Sequence, residues 1–539
     1  MPGSDGFSFL TTRLRATLAA HGYSKKTGIP VGEVLERRED LALKRRTLLK
    51  AGVTVTAAGA VSVAARPAFG ATAPAKPTNP SVIVVGAGLA GLRAAHWLYK
   101  VKGITSTVYE ANTRAGGRCY TLRGFFDDGI TVEHGGALIN TDHTAVRNLA
   151  ASLHLDTYLV NGGNQPPGGD TYWIDGARYP YDQANADWGT VYSAMTAALR
   201  AAPFCQTWDS QIPSGVALDN MTVNQWLDAN VPGGLSSRFA KLMQSNAVVE
   251  YGLDPDQQSA LNLIYLLGWN SQNSLSPING SDEKYSIAGG NDQLISAMIA
   301  DLPAGTIQYG QQLVAVTANA NASVTCSFQS GHKVTDVTAD RVILALPFTT
   351  LRDCDLSRSG FSAVKLQTIA QQGLGANAKI HVQFNSRPWV AQGAGGVAYT
   401  NVAGFQCAWD DTVNQATTKG VLCEFTGGSQ VINGWNGAAF GSAPANQVSA
   451  FLSQLEPIFP GATAAYSGKA YRDLWLMNPW TKGAYTCQKP GQYTTIFGNG
   501  AVPEGNVHFA GEHTSVNFFG YLNGAVESGE RAAKEIAGP

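Results

Sequence analysis

The sequence predicts an α/β fold, a parallel sheet covered on both faces, extended by a second region of mixed helices and strands. Three observations predict it. The run Ser81 to Val85 (SVIVV) is apolar and β-branched without polar alternation, as in a strand buried on both faces. Gly86, Gly88 and Gly91 follow at once and lead into helical spacing from Leu92 to Tyr99. A second strand, Ser106 to Tyr109, ends at the acid Glu110, 19 residues after Gly91.

Each element has a physical role. Gly86 permits a tight turn, Gly88 lets backbone approach a pyrophosphate, and Gly91 lets the helix pack closely on the strand. The helix start offers unsatisfied N–H groups to phosphate. Glu110 can accept hydrogen bonds from the ribose hydroxyls of an adenosine. Strand, glycines, helix, second strand and acid together point to a bound dinucleotide.

The remaining composition sets bounds. A chain of 539 residues exceeds one compact core, and 44% hydrophobic with 14% charged residues is globular. A formal net charge of −1 gives no field that favours nucleic acid or an anionic membrane. The seven cysteines include no CxxC pair and no cluster with zinc spacing, so no metal site is expected. They read mainly as small core hydrophobes; in an exported protein, Cys407 and Cys423 could pair across a hairpin.

Residues 1–80 read as an address and a linker. Lys44 to Lys50 (KRRTLLK) precedes the small, apolar run Ala51 to Ala65, which resembles a twin-arginine export signal. That run is too short and too rich in Ala and Gly for a stable membrane span. The expected partner is the twin-arginine export machinery, and the expected location is the periplasm or the exterior of a bacterium.

Further motifs carry a family resemblance. Arg114 to Arg118 (RAGGR) follows the acid, and Tyr285 to Leu294, Leu313 to Val316, Arg341 to Pro347, Val507 to Thr514 and Tyr521 to Ala525 come later in order. From about residue 80 to 537 the chain resembles the flavin-containing monoamine oxidase and L-amino-acid oxidase superfamily. The resemblance implies an FAD-binding, Rossmann-like domain of the glutathione-reductase type, assembled from about 80–150, 280–350 and 475–539. Segments 150–280 and 350–475 would form an α+β substrate domain. Implied FAD contacts are Gly86, Gly88, Gly91, Glu110, Gly117, Arg118, Val314, Gly511, Glu512 and Leu522.

Within the substrate segments, helical spacing runs over Val191 to Ala201, Val223 to Ala229, Ser237 to Val249 and Ser259 to Leu267. Strands are expected at Ala378 to Phe384, Gly395 to Tyr399 and Val421 to Phe425, and loops at Pro166 to Gly169 and Gly427 to Ala438. By resemblance, Lys379 holds a water against the flavin, and Trp475 to Tyr485 leads to a catalytic tyrosine. Lys379, Trp475, Tyr485 and Tyr521 are thus the expected catalytic residues, the two tyrosines flanking the substrate nitrogen. Ala484 stands where some members carry a cysteine bonded to the flavin, so non-covalent FAD is expected. The implied reaction passes a hydride from the amine-bearing carbon to the flavin, with O2 as acceptor and H2O2 as product. An L-amino-acid oxidase is the rival reading; it would need a guanidinium for the substrate carboxylate, and Arg387 and Arg472 are the candidates. His134, His143, His381 and His513 read as structural. The oligomeric state stays open, a homodimer being one outcome.

Overall fold

A computed structural model describes residues 79–160, 169–277 and 281–538. The twin-arginine segment, most of the linker before Pro80 and most of the loop from Pro166 lie outside the described residues.

The apolar run becomes the strand Val82–Val85, the centre of a five-stranded parallel sheet. Its neighbours are Ser106–Tyr109 on one side and Arg341–Leu344 on the other, with Ile307–Gln308 and Val507–Phe509 at the edges. All four residues of the central strand are buried because both faces are covered. Val82 and Val84 pack under the helices Leu89–Lys102, Gln293–Asp301 and Leu522–Ala537. Ile83 and Val85 pack against a three-stranded antiparallel sheet through Leu313, Val316 and Phe328. Burial on both faces is the physical reason the strand carries no polar residue.

A second sheet of eight strands runs in the order Phe440–Ser442, Tyr466–Asp473, Ala378–Phe384, Gly420–Thr426, Phe405–Asp410, Ala398–Val402, Thr171–Ile174, Ala177–Arg178. Helices Tyr181–Ala201, Val223–Asn230, Arg238–Tyr251 and Ala260–Leu267 build a core that meets this sheet at Tyr172, Ile174, Tyr399 and Cys407. The helix Ala445–Leu455 covers Ile380, Val382 and Phe384 on the opposite face. Among the described residues, no helix is long and apolar enough to cross a membrane.

Two local expectations need correction. Gly427 to Ala438, read as a loop for its glycines and asparagines, contains the helix Gly428–Gly434. Its Val431 is buried beside Ala376, Ala378 and Leu474, and the Asp254 carboxylate accepts the Ser429 N–H at 3.0 Å. Remote packing and a remote cap thus override weak local propensity. Cys407 and Cys423 also do not pair: Cys407 opposes Phe425 and Cys423 opposes Trp409, a diagonal placement, and all seven cysteines are thiols.

Candidate functional site

The glycines after the central strand hold distinct positions. Gly86 has φ +101°, and a Cβ there would stand 2.8 Å from the Ala345 carbonyl oxygen. A Cβ on Gly91 would stand 2.0 Å from the Gly86 carbonyl oxygen. Gly88 differs, because a Cβ there meets nothing within 4 Å. Gly88 is the N-cap of the 14-residue helix Leu89–Lys102, so open space lies before unsatisfied helix N–H groups.

The second glycine turn docks onto this opening. Gly116 donates its N–H to the Ala87 carbonyl at 2.8 Å, and the Cβ position of Gly117 lies 3.4 Å from Gly88 Cα. Arg114 braces the turn, donating to the Gly117 carbonyl at 2.9 Å while its guanidinium lies 3.9 Å from the Tyr120 ring centre. Glu110 accepts the Ala87 N–H at 2.7 Å and the Asn112 N–H at 2.8 Å. Burial pushes its carboxyl up, partly offset by those two bonds. Val314 sits in a bulge between Leu313 and Ala315 and gives its carbonyl to the Asp355 N–H at 2.8 Å.

Arg118 ties this cradle to the end of the chain. It donates to the Ala484 carbonyl at 2.6 Å and to Glu512 at 2.8 Å. Glu512 also accepts the Gly520 N–H at 2.6 Å. Burial alone would raise the Glu512 carboxyl, but Arg118 and the other contacts hold it below its ordinary value. Gly511, at φ +126°, packs on His513, and the Leu522 side chain fills the space a Cβ on Gly136 would need, 2.8 Å away.

Lys379 and Trp475 converge on one turn. The Lys379 ammonium donates to the carbonyls of Glu133 and Gly135, both at 2.8 Å, and the Trp475 indole N–H donates to the His134 carbonyl at 2.8 Å. Three successive carbonyls are therefore held by two side chains named from the sequence.

Tyr485 and Tyr521 approach each other from different segments. The Tyr485 hydroxyl donates to the Val249 carbonyl at 2.6 Å, and its ring lies 3.8 Å from the Cβ position of Gly520, next to Tyr521. The Tyr521 ring meets the His143 ring edge-on at 4.8 Å. Burial, with Glu250 next in weight, pushes both phenols up; Glu283 also acts on Tyr521. Burial pushes Glu250 itself up to about 8 and Glu283 to about 7, each reinforced by a neighbouring acid. Glu250 and Glu283 were missed from the sequence. The available signal was an acid closing the apolar stretch Ala247 to Val249.

Neither predicted arginine is available to a substrate carboxylate. Arg387 donates to the carbonyls of Lys419 at 2.9 Å, Thr412 at 3.0 Å and Thr417 at 3.3 Å. Arg472 opposes Ile380, so it lies on the sheet face away from Lys379, and it donates to Asn436, Ala438 and Gln447. His381, Asp411 and Cys423 do come together, with ligand atoms within 4.8 Å of one another, although no sequence spacing announced them. His381 is already bonded to Asp411 at 2.7 Å, and burial pushes the Cys423 thiol well up, away from the thiolate a metal needs.

The parallel sheet, the glycine cradle and the paired tyrosines define a dinucleotide-dependent oxidoreductase site, and comparison with known proteins places it. The family of flavin containing amine oxidoreductases matches residues 89–537. The chain belongs to this family, and FAD is its cofactor. It is 24% identical over 476 residues to the flavin-containing amine oxidase A of Bos taurus, covering 84% of each chain. It is 26% identical over 484 residues to an L-amino acid dehydrogenase of Synechocystis sp. (strain ATCC 27184 / PCC 6803 / Kazusa), covering 85% of this chain and 94% of that one. Among solved structures, cyclohexylamine oxidase from Brevibacterium oxydans IH-35A superposes with a TM-score of 0.73 at 26% identity, covering 85% of this chain and 99% of that one.

The cradle fits FAD. The space in front of Gly88, bordered by the Gly116–Gly117 turn, would accept a diphosphate, and buried Glu110 at the end of the second strand would take the ribose.

Proposed function

We propose that the chain is an FAD-dependent oxidase of amines: a primary amine, O2 and water give the corresponding carbonyl compound, ammonia and H2O2. Bound FAD would supply the two-electron acceptor, with O2 as the final oxidant. The observation that carries the amine reading is the charge beside the tyrosines. The ionisable groups acting most on Tyr485 and Tyr521 include Glu250 on both and Glu283 on Tyr521. Once these acids ionise, as pH rises through about 7 to 8, such a site attracts an ammonium and repels an α-carboxylate, while Arg387 and Arg472 donate to main-chain carbonyls. Tyr485 and Tyr521 flank the nitrogen, Lys379 and Trp475 hold the turn behind it, and Glu250 takes the proton that an ammonium must lose before its carbon can give up hydride. A carboxyl raised to about 8 is matched to that exchange.

The L-amino-acid reading keeps the support of relatives, a putative L-amino-acid oxidase of Bacillus subtilis (strain 168) and the Synechocystis L-amino acid dehydrogenase among them. Peroxide release over a panel of amines and L-amino acids decides between them. Amines are expected to be oxidised, faster as pH rises through their pKa, and above about pH 8, where Glu250 is ionised, Glu250→Gln should raise KM about tenfold through loss of a charge-assisted contact. Turnover confined to L-amino acids would overturn the reading.

A further inference from the structure

The sheet face that carries Lys379 holds a second group of ionisable side chains, which the proposed reaction leaves unused. His381 follows Lys379 on the same face of Ala378–Phe384, and Asp473 is the register partner of Lys379 on the adjacent strand. The Asp473 carboxylate meets His134 Nδ1 at 2.5 Å and His381 Nε2 at 3.2 Å. His381 Nδ1 meets Asp411 at 2.7 Å, and Asp411 accepts the Trp409 indole N–H at 2.7 Å. The Trp409 ring centre lies 5.7 Å from the Lys379 ammonium. The circuit closes through the turn, because Lys379 holds the carbonyls on either side of His134.

His134, His381 and Asp473 are 0% exposed, so their charges have no water to lean on. Burial alone would raise the Asp473 carboxyl, but the two imidazoles outweigh it and hold it low. Burial alone would lower the His381 imidazole, but Asp411 and Asp473 outweigh it and raise it. The other ionisable groups around them are Tyr120, stacked on His134 at 4.1 Å, Tyr471, edge-on to it at 5.2 Å, Cys423 opposite His381, and Glu133, bonded to Thr121 and Asn291.

We propose that Asp473 is the positioning residue for Lys379: held between two imidazoles, it fixes the turn whose carbonyls grip the ammonium and places a buried negative charge on the strand beside it. This rests on the reading of Lys379 as the cation beside the flavin. The test uses full-length, FAD-loaded protein and three variants, Asp473→Asn, His134→Gln and Lys379→Met. Asp473→Asn should retain FAD and be reduced by amine at a near-normal rate, yet reoxidise in O2 roughly tenfold more slowly. The loss should fall on the reoxidation rate constant and spare the reduction rate constant, a split that a general loss of structure would not produce. In the same FAD-loaded variant, the downfield imidazole N–H resonance of His134 should disappear, while that of His381, bonded to Asp411, should remain. His134→Gln, which keeps the Asp473 charge but loses its bond to the turn, should slow reoxidation several-fold with reduction near normal, and it serves if Asp473→Asn does not fold. Unchanged reoxidation in both variants overturns the proposal when Lys379→Met is slow. If Lys379→Met also reoxidises normally, the reading of Lys379 itself fails.

Discussion

Ala484 gives its carbonyl to Arg118 at 2.6 Å and its N–H to the Gly375 carbonyl at 2.8 Å, and its side chain is a methyl group. Its backbone therefore braces the cradle while its side chain offers no atom for a bond to flavin. Acid precipitation should release the FAD into the supernatant; flavin that stays on a peptide after proteolysis would show an attachment elsewhere. At this scale the sequence was legible where a residue type is chemically forced. Lys379, Trp475, Tyr485 and Tyr521 were named from their motifs, and the structure brings Lys379 and Trp475 to one turn and the tyrosines to neighbouring positions. Arg387 and Arg472 donate to main-chain carbonyls, which a guanidinium with five donors serves as readily as a carboxylate.

Between elements, Gly88 and Gly91 of the cradle separate binding from packing. Gly91 stands where helix meets turn, and the 2.0 Å approach to the Gly86 carbonyl leaves no room for a methyl group. Gly91→Ala should cost about 1–3 kcal/mol or more in unfolding experiments, as overpacking does. Gly88→Ala should fold normally, since its Cβ meets no protein atom, but bind FAD roughly tenfold more weakly by crowding a diphosphate contact. Equal thermal stability of the two variants, or unchanged FAD affinity in Gly88→Ala, would contradict this division. Elements with strong periodicity were legible to within a few residues: Ser106–Tyr109 and Ala378–Phe384 match their expected spans, and Arg341–Leu344 ends three residues before the Pro347 that closed its motif. Gly428–Gly434 was not, because its Asp254 cap lies far away in sequence.

Across the whole molecule, buried histidines couple stability to acidity. Burial pushes His143 down to about 4 and His513 to about 3, against about 6.5 in an unfolded chain. Below about pH 6.5 the unfolded chain binds protons that the folded one refuses, so this stability is full above that pH and declines toward pH 4. Each imidazole can remove up to about 1.4 kcal/mol per pH unit. Glu133, Glu250 and Glu283, all raised by burial, act in the opposite sense, so the comparison must be between variants. Melting temperature should fall less between pH 6.5 and 5 in His513→Gln than in the parent; parallel curves would refute the assignment.

The sequence alone determined the α/β class, the dinucleotide cradle and the family, because those follow from short-range constraints. A strand buried on both faces admits only apolar residues, and tight turns and close approaches admit only glycine. The tertiary structure alone decided what surrounds the tyrosines and the lysine. Glu283 and Asp473 carry no local signature and Glu250 only an acid after an apolar stretch, and only folding brings them beside groups hundreds of residues away. The charge of a site is a sum over space, where electrostatic energy depends on distance and burial rather than order along the chain.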